Sequence, residues 1–239
     1  MRWLLPILFL ALAGCEVVPT STPAPQQPSG QTAQTSDSDR RQRAEIAAKQ
    51  FVNVVETVEP VAEAECRRRT SGANCDFLIV VDNRPNQPPN AFQTVDKFGR
   101  PVVAFNLALI ASVQNADELA FVMGHETAHH ILGHLERTRS NAIAGAVILS
   151  GLASLSGANA EGIRNAEELG AAVGARSYSK DFELEADALG TVITERAGFN
   201  AVRGAAFFTR IPDPGNRFLG SHPPNSARIE IVRRTAARL

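Results

Sequence analysis

The segment His125-Glu126-Thr127-Ala128-His129 constrains this chain more than any other sequence feature. It follows Asn115, which suits a helix N-cap, and it lies in an apolar run with helical spacing. At about 100° per residue, His125 and His129 are about 40° apart on one helix face, one turn from each other. Two imidazoles placed this way can bind one metal ion. The sequence therefore predicts a metal-binding helix that continues to about Arg137.

The residue between the two histidines has the chemistry of a base. Glu126 lies about 100° around the helix from His125, too poorly placed to be a further ligand. Its carboxylate can instead take a proton from a water molecule at the metal. Zinc suits such a site, because it is a redox-inert Lewis acid that accepts imidazole and carboxylate ligands. The alternative is a helix with two surface histidines, which fits the capped, apolar setting less well.

A catalytic zinc site needs a third protein ligand and an open position for water. Between Glu136 and Glu161 the chain has no carboxylate, so this ligand must come later. Of the later acids, Glu183 has a second acid, Asp187, one turn along an amphipathic helix, whereas Glu185 faces away. We expect Glu183 to bind the metal and Asp187 to accept a hydrogen bond from a ligand imidazole. For this pair of acids the alternative is a solvent-exposed acidic helix face with no metal. The carboxylates compared as possible third ligands are Glu161, Glu167, Glu168, Glu183 and Glu185.

A second pair of histidines, His130 and His134, also has the i,i+4 spacing of a chelating pair. On the predicted helix they are turned about 140° and about 180° from His125, so neither can join the ion of the first pair. We therefore expect them to be packing or surface residues rather than ligands of the same ion.

The N-terminus predicts export. Arg2 precedes a short apolar run, and Leu12-Ala13-Gly14-Cys15 resembles the bacterial lipoprotein box, in which the cysteine becomes a lipidated N-terminus. The alternative is an ordinary cleavage site with an incidental cysteine. Glu16 rather than Asp follows Cys15, which favours the outer over the inner membrane by resemblance to enterobacterial lipoproteins.

These features divide the chain into three parts. Residues 1–14 are the predicted lipoprotein signal peptide, and residues 15–39 are the lipidated Cys15 with a disordered tether. Residues 40–239 form the folded domain. In an oxidising compartment Cys66 and Cys75 are expected to form a disulfide, with two free thiols as the alternative. The 24 Lys and Arg against 25 Asp and Glu leave no basic surface for nucleic acid.

The remaining patterns predict an α+β domain that is mainly α. Two extended runs, 91–95 and 101–105, suggest a hairpin. Residues 140–160 carry no charge, but glycines and polar residues dilute them, so we expect a buried or loosely packed helix and loop rather than a membrane span. The other predicted elements are helices over 40–59, 180–197 and after Pro224, and a buried strand over 77–81.

Three blocks together resemble the HtpX/CAAX-prenyl-protease (Ste-type) family of zinc metallopeptidases, and its soluble periplasmic lipoprotein branch most closely. They are 117–129 followed by His134, then 178–187, and Ser221-His222-Pro223-Pro224. The resemblance implies a zincin-like domain, with a small sheet and an active-site helix, that binds one zinc ion. It implies that His125, His129 and Glu183 bind zinc and that Glu126 is the catalytic base. It also implies that Asp187 accepts a hydrogen bond from a ligand histidine and that His222 lies near the catalytic centre.

The function implied is hydrolysis of peptide bonds in proteins of the bacterial envelope, for quality control or maturation. Misfolded or unassembled envelope proteins are the expected substrates, and the lipid anchor would hold the enzyme at the membrane, facing the periplasm. The alternative is a lipid-tethered binding or chaperone-like module whose zinc site is structural, or is plugged by a residue such as His222. For His222 itself, the alternative is a loop histidine before a proline turn.

Overall fold

The folded part of the chain consists of helices around a small three-stranded sheet, which confirms the predicted α+β, mainly α, class. A computed structural model describes residues 37–217, 220 and 222–239. The predicted signal peptide, Cys15 and the tether as far as residue 36 lie outside these residues. In chain order the elements are α1 Asp37–Arg69, β1 Leu78–Asp82, β2 Ala91–Val95, β3 Pro101–Asn106, α2 Leu107–Ser112, α3 Ala116–Ile131, α4 His134–Leu155, α5 Ala160–Ser177, α6 Ser179–Arg196, α7 Ala201–Gly204, a 3-10 helix Ala205–Thr209, and α8 Asn225–Ala236.

The sheet has the order β1-β3-β2, so the buried strand β3 is central. β2 and β3 pair antiparallel as the predicted hairpin, and β1 runs parallel to β3. Val103 and Phe105 of β3 pack into the main core, with Phe77 just before β1. The edge strand β2 borders the large cleft of the molecule.

Helix α1 is longer than predicted. It begins within the predicted tether and continues beyond Glu59, through Pro60, to Arg69. Its buried residues Val54, Val58, Ala62 and Cys66 follow one helical face across the proline, and this burial outweighs the backbone hydrogen bond that proline cannot donate. Near its end Cys66 forms the predicted disulfide with Cys75.

The prediction of one helix through Arg137 was wrong. Helix α3 begins after Asn115, whose side chain accepts a hydrogen bond from the backbone N–H of Glu118 as predicted, but it ends at Ile131. Gly133 has a φ of 65°, a left-handed conformation that terminates the helix, and α4 begins at His134 in a new direction. His134 is therefore not where a continuous helix would place it.

Residues 140–160 form the loosely packed helix and loop of the prediction, and none of them is buried. Helix α4 continues to Leu155 and packs mainly against α5 as a helical hairpin. The face of α4 turned away from α5 exposes apolar side chains, including Val147, Leu152 and Leu155, the last 87% exposed. Within the described part of the chain, no helix has the length and apolarity needed to cross a bilayer.

Helices α3 and α6 approach each other unusually closely. A Cβ atom on Gly190 of α6 would lie 2.8 Å from the backbone nitrogen of His125, and one on Gly124 of α3 would lie 2.8 Å from the Gly190 carbonyl oxygen. Only glycine leaves room for two helix backbones at this distance. The contact brings the first two turns of α6 against the His-Glu-x-x-His turn of α3.

Candidate metal centre

Three side chains from these two helices converge. The Nε2 atoms of His125 and His129 are 3.0 Å apart. Glu183, in the second turn of α6, places one carboxylate oxygen 3.4 Å from Nε2 of His129 and the other 3.6 Å from Nε2 of His125. The three offer one donor atom each, all within 4.8 Å of one another. The structure thus brings together the three residues that the sequence predicts as ligands.

This donor set fits zinc. With zinc–ligand distances of about 2.0–2.2 Å, neighbouring donors of a tetrahedral site lie about 3.3 Å apart, close to the separations found here. Two imidazoles and one carboxylate fill three positions and leave a fourth for solvent or substrate, which is the composition of a catalytic rather than a structural site. In each histidine, Nδ1 points away from the cluster and contacts another side chain, Asp187 for His125 and His134 for His129.

The outer nitrogen of His125 faces Asp187. Its Nδ1 lies 2.9 Å from Oδ1 of Asp187, whose side chain is 0% exposed. Asp187 also accepts two hydrogen bonds, each 2.7 Å long, from the buried guanidinium of Arg228 on α8. Arg228 additionally lies 3.4 Å from Oε2 of Glu183. Asp187 is thus placed behind His125, as the sequence predicts.

Sequence reasoning missed Arg228. Asn225, Arg228 and Val232 form the buried face of α8 at i, i+3 and i+7 spacing, but only Val232 is apolar, so the sequence pattern gave little signal of this burial. A buried arginine needs an acidic partner, and in the structure that partner is Asp187.

The charges of the site hold its carboxylates ionised. Burial alone would raise the pKa of Glu183, but its contacts with His129 and His222, together with nearby His125 and Arg228, lower it well below its ordinary value. Burial likewise opposes ionisation of Asp187, and Arg228 and His125 nonetheless lower its pKa. Both acids are therefore anionic and can balance a divalent cation.

The site opens into a cleft of about 760 Å³. Glu126 and His222 both line this cleft beside the ligand cluster. Glu126 is half-buried and stands outside the three-residue group, as the helix geometry predicts. His222 is half-exposed, and its Nδ1 lies 3.1 Å from Oε2 of Glu183. Apolar side chains form much of the remaining wall, among them Val122, Phe182, Phe207 and Ile211.

Nδ1 of His129 faces His134, a residue that the sequence analysis placed away from the cluster. This Nδ1 lies 2.8 Å from Nδ1 of His134, which is buried because α4 starts there in its new direction. Nε2 of His134 lies 3.1 Å from Glu185, which also pairs with Arg137 at 2.6 Å. Burial lowers the pKa of His134 to about 4, although the Glu185 contact partly opposes this, so the ring is neutral near pH 7.

The remaining candidates lie apart from the cluster. His130 points to the backbone carbonyl of Asn74, 2.7 Å from its Nε2, and packs edge-on against Phe77, so it is a packing residue as predicted. Glu161, Glu167 and Glu168 are exposed on α5. Glu185 faces away from the cluster, as predicted, toward His134 and Arg137.

Comparisons with known proteins agree with this geometry. The model of peptidase family M48 matches residues 48–236. The chain is 34% identical over 132 residues to a putative beta-barrel assembly-enhancing protease of Vibrio cholerae, a match covering 51% of this chain and 26% of that protein. It is 28% identical over 176 residues to the beta-barrel assembly-enhancing protease of Yersinia pestis, covering 64% of this chain and 34% of that protein. The matched segments thus span about a quarter to a third of these relatives.

Proposed function

We propose that this chain, which belongs to peptidase family M48, is a zinc endopeptidase of the gluzincin type. Its metal ligands would be His125, His129 and Glu183. The observation that carries the proposal is the convergence of these three side chains, with donor separations that suit zinc, at the wall of an open cleft. Within family M48, we propose that the chain belongs to the HtpX/CAAX-prenyl-protease group and to its lipoprotein branch.

The chemistry follows from the side chains that surround the site. When bound, zinc supplies Lewis acidity, which polarises the peptide carbonyl and lowers the pKa of water. Glu126 accepts the proton of the attacking water and passes it to the leaving amine, a role that needs a carboxylate beside the metal but not bound to it. His222, which lines the cleft, would donate a hydrogen bond to the carbonyl oxygen as it gains negative charge. Asp187 holds the ring of His125 in orientation.

We propose that the substrates are misfolded or unassembled envelope proteins. Two observations support this class. The names of the two relatives refer to assembly of β-barrels, and the apolar cleft wall suits side chains that a folded protein keeps buried. The predicted lipid anchor at Cys15 would hold the enzyme on the periplasmic side of the envelope, with the outer membrane favoured by Glu16.

The test compares the mature chain from residue 15, with Cys15→Ser to keep it unlipidated, and the same protein carrying Glu126→Gln. Both should bind one zinc per chain. The first should cleave casein and a denatured β-barrel protein, and the second should cleave them about 10²–10⁴-fold more slowly, since only the base is lost.

Glu183→Gln is the matched control for the metal. It should lose both zinc and cleavage, whereas Glu126→Gln should lose cleavage alone. If the parent protein binds one zinc and cleaves neither substrate, the peptidase proposal fails and the binding-module alternative takes its place. The contact that bears on this alternative is that of His222, whose Nδ1 lies 3.1 Å from Oε2 of Glu183, beside the proposed ligands.

A further inference from the structure

The two histidines of the ligand cluster are held by different kinds of partner. Nδ1 of His125 faces a buried carboxylate, Asp187, that is itself fixed by an arginine. Nδ1 of His129 faces another imidazole, that of His134. The usual partner of a ligand imidazole is a carboxylate, a backbone carbonyl or water, so a neutral imidazole is uncommon there. It can orient His129 only if other contacts hold His134 in place.

The contacts beyond His134 fix the direction of every hydrogen bond. Nε2 of His129 points at the ligand cluster and needs a free lone pair to bind a metal, so its proton is on Nδ1. That proton is donated to Nδ1 of His134, which then carries its own proton on Nε2. Nε2 of His134 in turn donates to the carboxylate of Glu185. One choice of tautomers satisfies all three groups.

Contacts with the faces of the His134 ring also fix its orientation. Its ring is stacked on Phe182, with centroids 4.7 Å apart and planes 9° from parallel. The guanidinium of Arg137 lies 4.1 Å from the centroid of the same Phe182 ring and pairs with Glu185. The left-handed Gly133 starts α4 at the point that brings His134 against His129. The ring of His134 therefore has little freedom to turn away from its neighbour.

We infer that His134, Glu185 and Arg137 form a positioning relay that orients His129 for metal binding. The inference rests on the proposed function, because His129 must be a ligand for the relay to act on the metal. A ligand imidazole fixed in ring angle and tautomer binds its metal more tightly, and loss of such a partner typically costs about 10–100-fold in metal affinity. His134 is thus a positioning residue, and it does not contact the metal itself.

The test uses two substitutions at His134 in the Cys15→Ser mature chain. His134→Phe keeps a ring that can stack on Phe182 but removes the acceptor. His134→Asn places an amide oxygen near the position of Nδ1 and keeps the acceptor. The neighbouring His130→Phe is the matched control, since His130 contacts Asn74 and not the cluster.

The readouts are the zinc dissociation constant, from competition with a chromophoric chelator, and the visible spectrum of the cobalt-substituted protein. We expect His134→Phe to weaken zinc binding about 10–100-fold and to shift the cobalt bands. His134→Asn should recover most of the affinity, and His130→Phe should match the parent in both readouts. The melting temperature of the metal-free proteins separates a loss of folding from a loss of positioning.

Each unfavourable result has a distinct meaning. If His134→Phe folds and binds zinc within about threefold of the parent with an unchanged cobalt spectrum, the relay is wrong. If His134→Phe does not fold, Glu185→Ala replaces it: its side chain is 42% exposed, and an unchanged affinity and spectrum there overturn the relay equally. If the parent itself binds no zinc, the proposed function fails, a result distinguishable from failure of the relay alone.

Discussion

At the scale of single residues, local spacing predicts which side chains share a helix face, and the outcome depends on whether the helix continues. His125 and His129 lie within one uninterrupted helix, as do Glu183 and Asp187, and the structure brings all four together. His134 lies beyond a break, so the rotation inferred for it did not apply.

The lowered pKa of His134 predicts a pH dependence of stability. Its pKa is about 4 in the folded protein and about 6.5 when unfolded, so between these values the unfolded chain binds more protons. The free energy of unfolding is therefore highest above about pH 6.5 and falls as the pH drops toward 4. The slope from this one group is at most about 1.4 kcal/mol per pH unit.

Urea denaturation of the metal-free protein in a chelator, at a series of pH values, measures this effect. The His134→Asn variant keeps every other titrating group, so its stability should change less steeply between pH 6.5 and 4. Parallel curves for the two proteins would show that His134 contributes nothing to the pH dependence.

At the scale of elements, the sequence predicts helices better than it predicts their ends. Strands β2 and β3 and helix α6 lie close to the predicted bounds, because short extended runs and a clear amphipathic stripe determine them. Helix α1 passes through Pro60 because contacts distant in sequence bury its far end. For α4 the sequence left burial and loose packing open, because nothing in its own sequence tells whether a neighbour covers it.

The contact between α3 and α6 gives a prediction at this scale. Gly190→Ala puts a methyl group within about 3 Å of the backbone at His125, so the helices must separate. We expect a loss of about 1–3 kcal/mol in the free energy of unfolding and weaker zinc binding, because Glu183 moves with α6.

Gly151→Ala on α4 is the matched control. No atom lies within 4 Å of the added Cβ there, so helix propensity should raise stability by up to about 1 kcal/mol and leave zinc binding unchanged. Zinc titration and urea denaturation of both variants measure the two quantities. Equal zinc affinity for Gly190→Ala and the parent would contradict the role given to the α3–α6 contact.

At the scale of the whole molecule, the proposed metal joins two helices of the main core. Phe105, Leu119, Met123 and Ile193 pack in the same cluster as the backbone that carries the ligands. Sequence analysis predicts the metal site from its local motifs, but it does not predict how the two motifs meet. That meeting depends on packing among residues far apart in the chain.

Removal of zinc should therefore lower the stability of the whole domain. A ligand that binds only the folded state adds about 2.7 kcal/mol when its free concentration is about 100 times its dissociation constant. Addition of a chelator should lower the melting temperature of the parent protein, and of Glu126→Gln equally. Glu183→Gln should respond much less. An unchanged melting temperature of the parent would contradict metal binding to the folded state.

The hairpin of α4 and α5 occupies the stretch of chain between the second histidine and Glu183. Because these two helices pack mainly on each other, the ligand geometry does not depend on how long they are. Insertions or deletions at the Gly157 turn should consequently change the outer surface of the domain and leave the positions of His125, His129 and Glu183 unaltered.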